Sequence, residues 1–257
     1  MRVLGAAACA VVGVYVGTYL NLLIDLVPQK RRVTPLRTAC RACVDVTDRP
    51  RRLPVVPWLL RGRRCPSCSE AVSSRYPLVE VATAALFAAA ALRFGADAAL
   101  PAYLVFFASL LVISVIDFEH KIIPNRIVYP TILLCLPLLA LAALVDGDVG
   151  RLGRALVGGA AAWALLLLVH LVSPAGMGFG DVRLSFVLGL MLGWLSLSHV
   201  VAGLFLGFLL GAVVGLGLVL VAGRSRKDAV PFGPFLAGGA ALAVLVGRPL
   251  IDWWLGT

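Results

Sequence analysis

The feature that most constrains this chain is its succession of long apolar runs. They cover residues 3–27, 78–95, 98–116, 127–145, 153–173, 182–197, 200–222 and 234–255, and we expect each to cross roughly 30 Å of hydrocarbon as a helix. With 61% hydrophobic and only 14% charged residues, the chain lies outside the composition of soluble domains. The sequence therefore predicts an all-α, polytopic membrane protein of about eight transmembrane helices.

The first run could also be a cleaved signal peptide, because "AAACA" supplies small residues. A run of about 25 apolar residues is longer than the core of a normal signal peptide, however, so we expect a retained helix. If residue 1 lies outside, most of the 23 Lys and Arg residues fall in loops on the inner face. The positive-inside rule then places both termini outside the cytoplasm.

Residues 29–77 form the only sizeable polar segment, and we expect them to lie in the cytoplasm between a first helix (1–28) and a membrane domain (78–257). Because this basic segment lies beside a bilayer, it predicts contact with anionic membrane lipids and no nucleic acid. It contains "CRAC" and "CPSC", a spacing typical of a four-cysteine Zn²⁺ site. Two disulfides are the alternative, which a reducing cytoplasm disfavours. The predicted zinc ligands are Cys40, Cys43, Cys65 and Cys68.

Six acidic residues lie in or near the predicted helices, where an ionisable group is a functional candidate. They are Asp25, Glu80, Asp117, Glu119, Asp181 and Asp252. Asp117 ends the third predicted helix in "DFEHKIIPN", and Asp181 begins the sixth after "GMGFG". Both are therefore expected at the cytoplasmic boundary.

Two carboxyl groups brought together there could not both ionise cheaply, so one would hold a proton, as in an aspartic protease dyad. Gly178 and Gly180 would let the backbone bend and let an extended substrate approach. Helix capping or a transport site would use the same acids, and the spacing alone leaves these alternatives open. A nucleotide-binding interpretation of "GMGFG" is weak because no strand precedes it.

Five separated motifs occur in order along nearly the whole chain. They are "GTYLNLLIDLVP" at 17–28, "RLPVVPWLLRGRRCPSCSEAVSSRYPLVE" at 52–80, "DFEHKIIPN" at 117–125, "GFGD" at 178–181 and "VPFGPFLAGG" at 230–239. In this order they resemble the type IV prepilin peptidases, which are membrane enzymes of bacteria.

The resemblance implies a GxGD-type aspartic endopeptidase that removes the short basic leader of prepilins or pseudopilins at the cytoplasmic face of the inner membrane. It implies that Asp117 and Asp181 are the catalytic pair, that Gly178 and Gly180 belong to the motif, and that the four loop cysteines bind zinc. It also implies N-methylation of the new N-terminus with S-adenosylmethionine. Arg52-Leu53-Pro54 departs from the family's Asn-Ile-Pro, so a peptidase with a purely structural zinc loop is the alternative.

Other residues have two interpretations each. Glu80 matches the family and suggests a substrate or methyl-transfer surface, although an acid at a helix N-terminus would also complement the helix dipole. Arg183 could contact lipid phosphate or the Asp181 carboxylate, and His170 is most simply a packing residue. A proton-coupled transporter is disfavoured because helices four to eight are almost purely apolar. A non-enzymatic scaffold that holds a zinc module is a second alternative, and it would tolerate asparagine at both aspartates. The oligomeric state is open.

Overall fold

The computed structural model describes residues 2–30, 73–174, 176–222 and 231–255. This part of the chain is entirely helical, with no strand. Its helices are α1 (Arg2–Leu26), α2 (Arg75–Phe94), α3 (Leu100–His120), α4 (Asn125–Asp146), α5 (Val149–Val172), α6 (Phe179–Leu195), α7 (Leu197–Ala222) and α8 (Gly233–Leu255). The predicted all-α class is confirmed.

Six helices, α1 to α5 and α7, are long and apolar enough to cross a membrane. The α6 helix has 17 residues, and α8 counts as an apolar helix only over Gly233–Gly247. The structure thus fits a multi-pass membrane protein with six candidate spans among the described residues. The predicted total of about eight spans stays a prediction.

The described helices form two compact units, residues 1–95 and 96–257. In the first unit, α1 and α2 approach closely at glycines four residues apart. A Cβ atom at Gly13 would lie 2.7 Å from the Ala84 Cα, and one at Gly17 would lie 2.6 Å from the Glu80 Cα. Small residues at such spacing let membrane helices approach to backbone contact.

In the second unit, α6 is the most buried helix and packs against α4, α5, α7 and α8. Tyr103, Phe106 and Phe107 of α3 and Trp194 of α6 are essentially fully buried. The Tyr103 hydroxyl donates a 2.8 Å hydrogen bond to the Met191 carbonyl of α6. Because this polar group is satisfied inside the bundle, it fixes the two helices against each other.

The helix ends differ from the predicted boundaries at both aspartates. The α3 helix continues to His120, so Asp117 lies in its last turn, and Lys121 in a left-handed conformation (φ 55°) ends it. The α6 helix begins at Phe179, so Asp181 lies inside its first turn. An acidic side chain three residues after the N-cap stabilises a helix start by accepting the N-cap N–H. Pro124, as predicted, separates α3 from α4.

Candidate active site

Asp117 lies in the last turn of α3 and is 5% exposed. Its Oδ2 atom accepts a 3.0 Å hydrogen bond from the Gly233 N–H, at the first residue of α8. A Cβ atom at Gly233 would lie 2.7 Å from that Oδ2. The position therefore requires glycine so that its peptide N–H can reach the buried carboxyl group.

Asp181 lies in the first turn of α6 and is 6% exposed. Its Oδ2 accepts a 3.2 Å hydrogen bond from the Gly178 N–H, and its own N–H donates to the Gly178 carbonyl at 3.1 Å. The buried Oδ1 has no hydrogen-bond partner within the described part of the chain. One oxygen is thus held by the N–H group that begins the "GFGD" turn.

Ile123, in the short segment between α3 and α4, links the surroundings of the two aspartates. A Cβ atom at Gly180 would lie 2.9 Å from the Ile123 Cβ, and one at Gly233 would lie 3.1 Å from its Cδ1. Gly233 donates to Asp117, and Gly180 directly precedes Asp181, so both aspartates are connected to Ile123 through a glycine. The structure therefore brings together the two aspartates that the sequence places 64 residues apart.

No described cation forms an ion pair with either carboxyl group. The nearest basic residue in sequence, Arg183, instead donates from Nη1 to the Asn125 Oδ1 at 2.8 Å. Its guanidinium group also lies 4.6 Å from the centre of the Phe179 ring. Of the two roles considered for Arg183, pairing with Asp181 is therefore not observed, whereas contact with lipid phosphate stays a prediction.

Glu80 lies in the second turn of α2, because the helix begins at Arg75 rather than near residue 78. It is fully buried against α1, and the Thr18 hydroxyl lies 3.4 Å from its Oε1. The interpretation of Glu80 as a first-turn acid that complements the helix dipole is thus wrong. Its predicted role at a substrate surface stays a prediction.

A second acid of the first unit, Asp25, has well-defined partners. Its Oδ1 forms an ion pair with Arg75 at 2.5 Å, and its Oδ2 accepts a 2.8 Å hydrogen bond from the Tyr76 hydroxyl. Asn21 donates to the Tyr76 carbonyl at 3.0 Å. These contacts join the end of α1 to the start of α2.

The predicted zinc ligands Cys40, Cys43, Cys65 and Cys68 lie outside the described residues, as does the side chain of Asp252. Within the described ranges no group of three or more His, Cys, Asp or Glu side chains is arranged to hold a metal ion. Cys135 is a free thiol that is fully buried, near the Ala102 carbonyl. Its thiol is therefore part of the packed interior of the second unit.

Three residues at this site were missed by the sequence analysis as site residues. Gly233 and Ile123 contact the aspartate pair directly or through a glycine. His170 bonds the Met177 carbonyl just before the "GFGD" turn and packs against Phe179 within it. Gly233 and Ile123 both stood inside one of the five motifs, so the motifs were a usable indication, whereas His170 lies outside all five.

Comparison with known proteins gives a consistent result over nearly the whole chain. Residues 11–94 match the bacterial peptidase A24 N-terminal domain, and residues 104–219 match the type IV leader peptidase family. The chain is 31% identical to a prepilin leader peptidase/N-methyltransferase of Bacillus subtilis, over 95% of each chain. It is 33% identical to a protein of the same name from Aeromonas hydrophila, over 85% of this chain and 74% of that one. No solved structure matches it significantly.

Proposed function

The chain belongs to the type IV leader peptidase family, and from that premise we infer that it is a prepilin leader peptidase and N-methyltransferase. It cleaves the leader from prepilins and methylates the new N-terminus. The relatives' names carry both activities, so a peptidase that lacks methyl transfer is not favoured. Both family domains are matched in this chain, and its apolar helices suit an enzyme whose substrates have hydrophobic segments.

For the cleavage step we propose that Asp117 and Asp181 act as an aspartic dyad. The observation that carries this proposal is that two buried carboxyl groups lie at residues packed around Ile123 while peptide N–H groups are their only described donors. Burial without a paired cation disfavours double ionisation, so one group keeps a proton. The charged group takes a proton from water as the water attacks the scissile carbonyl, and the protonated group donates to the leaving amine. Because the pair titrates as a unit, neither role is assigned to one residue.

The surroundings of the dyad suit a peptide substrate. Gly178 and Gly180 leave little side-chain bulk on the approach to Asp181, and the unpartnered Oδ1 of Asp181 supplies an acceptor. We propose that the hydrophobic segment of the substrate packs among the helices while its basic leader stays on the cytoplasmic side, where the basic loops meet lipid headgroups. This geometry would present the scissile bond at the depth of the two aspartates.

In this arrangement both termini lie outside and the chain crosses the inner membrane about eight times.

For the segment 29–77 we propose a zinc-binding cytoplasmic loop, held by Cys40, Cys43, Cys65 and Cys68. Four thiolates in two CxxC pairs fit the tetrahedral coordination of structural Zn²⁺. S-adenosylmethionine supplies the methyl group when bound. Metal analysis of the purified protein should give about one zinc per chain, and a Cys65→Ser, Cys68→Ser double variant should lose it. A wild-type preparation without stoichiometric zinc would contradict this part of the proposal.

The test of the proposed function incubates the purified protein in detergent with a prepilin and S-adenosylmethionine and follows the intact mass of the product. We expect loss of the leader mass and then a gain of one methyl group. Asp117→Asn and Asp181→Asn should produce neither cleavage nor methylation, since methylation needs the new N-terminus. Addition of an already cleaved pilin to these variants should restore methylation, which separates the two activities. Unimpaired cleavage by both variants would refute the dyad.

A further inference from the structure

His170 makes a polar contact that its interpretation as a packing residue does not explain. It lies in the last turn of α5, and its Nδ1 is 2.8 Å from the Met177 carbonyl oxygen. A carbonyl oxygen can only accept a hydrogen bond, so Nδ1 must carry the hydrogen and donate it. The neutral Nδ1–H tautomer and the charged imidazolium both satisfy this requirement.

The accepting carbonyl and the N–H group that binds Asp181 belong to the same peptide unit. The Met177 carbonyl carbon is bonded to the Gly178 nitrogen, and the Gly178 N–H donates to the Asp181 Oδ2 at 3.2 Å. A trans peptide is planar, and its C=O and N–H point in opposite directions. A hydrogen bond that fixes the carbonyl of this unit therefore also fixes the direction of its N–H.

This restraint matters because the unit ends at a glycine. The direction of its C=O and N–H depends on ψ of Met177 and φ of Gly178, and glycine leaves φ with few steric limits, so the carbonyl hydrogen bond restricts the rotation of this peptide. The carbonyl hydrogen bond also polarises the unit and strengthens the N–H as a donor. The His170 ring is itself restrained, since it packs against Phe179 with ring centroids 5.5 Å apart.

We propose that His170 is a positioning residue for Asp181, because it holds the peptide between Met177 and Gly178 with its N–H directed at the Asp181 carboxyl group. This inference rests on the proposed function, since it assigns His170 to the same cleavage reaction. His170 does not touch the reacting atoms and acts through a single peptide group.

The test compares three substitutions of His170 in the full-length protein, with prepilin as the substrate. His170→Leu keeps the volume and removes the donor, and we expect kcat to fall by about five- to tenfold with KM unchanged. His170→Asn places an amide N–H close to the position of Nδ1 and should restore most of kcat. His170→Gln places its amide further out, near the position of Nε2, and should behave like leucine. Leu171→Ala, at an exposed neighbour on α5, is the matched control and should cleave normally.

The variants also separate positioning from general stability, with thermal unfolding in detergent as the second measurement. Equal kcat values for the asparagine and glutamine variants, or a leucine variant with wild-type kcat, would overturn the proposal. If the leucine variant fails to fold, the proposal is tested by comparing kcat of the asparagine variant with kcat of the glutamine variant. Asp181→Asn is assayed alongside them. Normal cleavage by that variant would refute the dyad itself, whereas an inactive Asp181→Asn with a normal His170→Leu would refute only the role of His170.

Discussion

The α1–α2 unit and the α3–α8 unit both bury acidic side chains at helix ends, but they surround these acids differently. Asp25 forms an ion pair with Arg75 and accepts a hydrogen bond from Tyr76, and the Arg75 guanidinium also lies 4.9 Å from the centre of the Tyr76 ring. Asp117 and Asp181 receive one hydrogen bond each from a glycine N–H. Each of the latter acids also has the other carboxyl group nearby.

The difference separates an acid that joins two helices through an ion pair from two acids whose described donors are peptide N–H groups. A peptide N–H positions a carboxyl oxygen and supplies no full charge, so a neighbouring carboxylate can still make protonation favourable. The first arrangement stabilises the junction of α1 and α2, whereas the second suits general acid and base catalysis.

The largest expected effect comes from removing the carboxyl groups of the second unit. Asp117→Asn and Asp181→Asn should each reduce the cleavage rate by at least about 10³-fold, because each removes a proton donor or acceptor. Residues that act as a unit are strongly non-additive, so the double variant should cleave no more slowly than the slower single variant. Initial rates from intact mass would check this. Losses that multiply in the double variant would show that the two acids act independently.

A smaller loss is expected when the N–H donor of Asp117 is displaced. Gly233→Ala would place a Cβ atom 2.7 Å from the Asp117 Oδ2, so the carboxyl group or the start of α8 must move. We expect a decrease of about 10- to 100-fold in kcat. Gly238→Ala, on the same helix, is the matched control because its Cβ atom would meet only the Leu210 Cδ1 at an ordinary 3.6 Å. Equal activities of these two variants would contradict the assigned role of Gly233.

Asp25→Asn should give the opposite pattern, with a loss of stability and little loss of cleavage. The pair with Arg75 is only partly exposed, with side-chain exposures of 20% and 14%. Breaking it should lower the free energy of unfolding by about 1–3 kcal/mol. Thermal unfolding in detergent measures the first effect, and the prepilin assay measures the second. If Asp25→Asn reduced the cleavage rate as strongly as Asp117→Asn, the acids of the two units could not be assigned to structure and to catalysis respectively.

The smallest effect is expected at an ion pair near a loop. Asp146 pairs with Arg151 at 2.9 Å, and both side chains are about 30% exposed. Exposed pairs contribute roughly 0–1 kcal/mol, so Asp146→Asn should unfold within a few degrees of the wild type and cleave normally. If Asp146→Asn were destabilised as much as Asp25→Asn, side-chain exposure would not explain a difference in the stability that the two ion pairs contribute.

The sequence predicted the helices and both aspartates because these depend on local patterns. Long apolar runs specify helices in a membrane, and an acid next to such a run stands out by its solvation cost. The partners of the aspartates could not be predicted in this way. Gly233 donates to Asp117 across 116 residues of sequence, and His170 bonds the Met177 carbonyl, a group that every residue type possesses. A glycine can indicate a close approach of the backbone, but a backbone donor or acceptor does not indicate which side chain it meets.

The helix boundaries near the site were predicted to within one turn. Asp117 was expected to end the third helix and Asp181 to begin the sixth, whereas the helices end at His120 and begin at Phe179. The Gly233 and Gly178 N–H groups satisfy both carboxyl groups, so both aspartates lie inside helical turns. Glu80 was expected to open the second helix, but that helix begins at Arg75, so Glu80 lies in its second turn and is fully buried.

The most direct test of this account measures prepilin cleavage by Asp25→Asn, Asp117→Asn and Asp181→Asn side by side, in one preparation of each full-length protein. All three substitutions exchange a carboxyl group for an amide of nearly equal size. The account predicts that Asp25→Asn cleaves within about threefold of the wild type, as expected for a residue outside the reacting groups, while the other two lose at least about 10³-fold. Substantial cleavage by either Asp117→Asn or Asp181→Asn would contradict it.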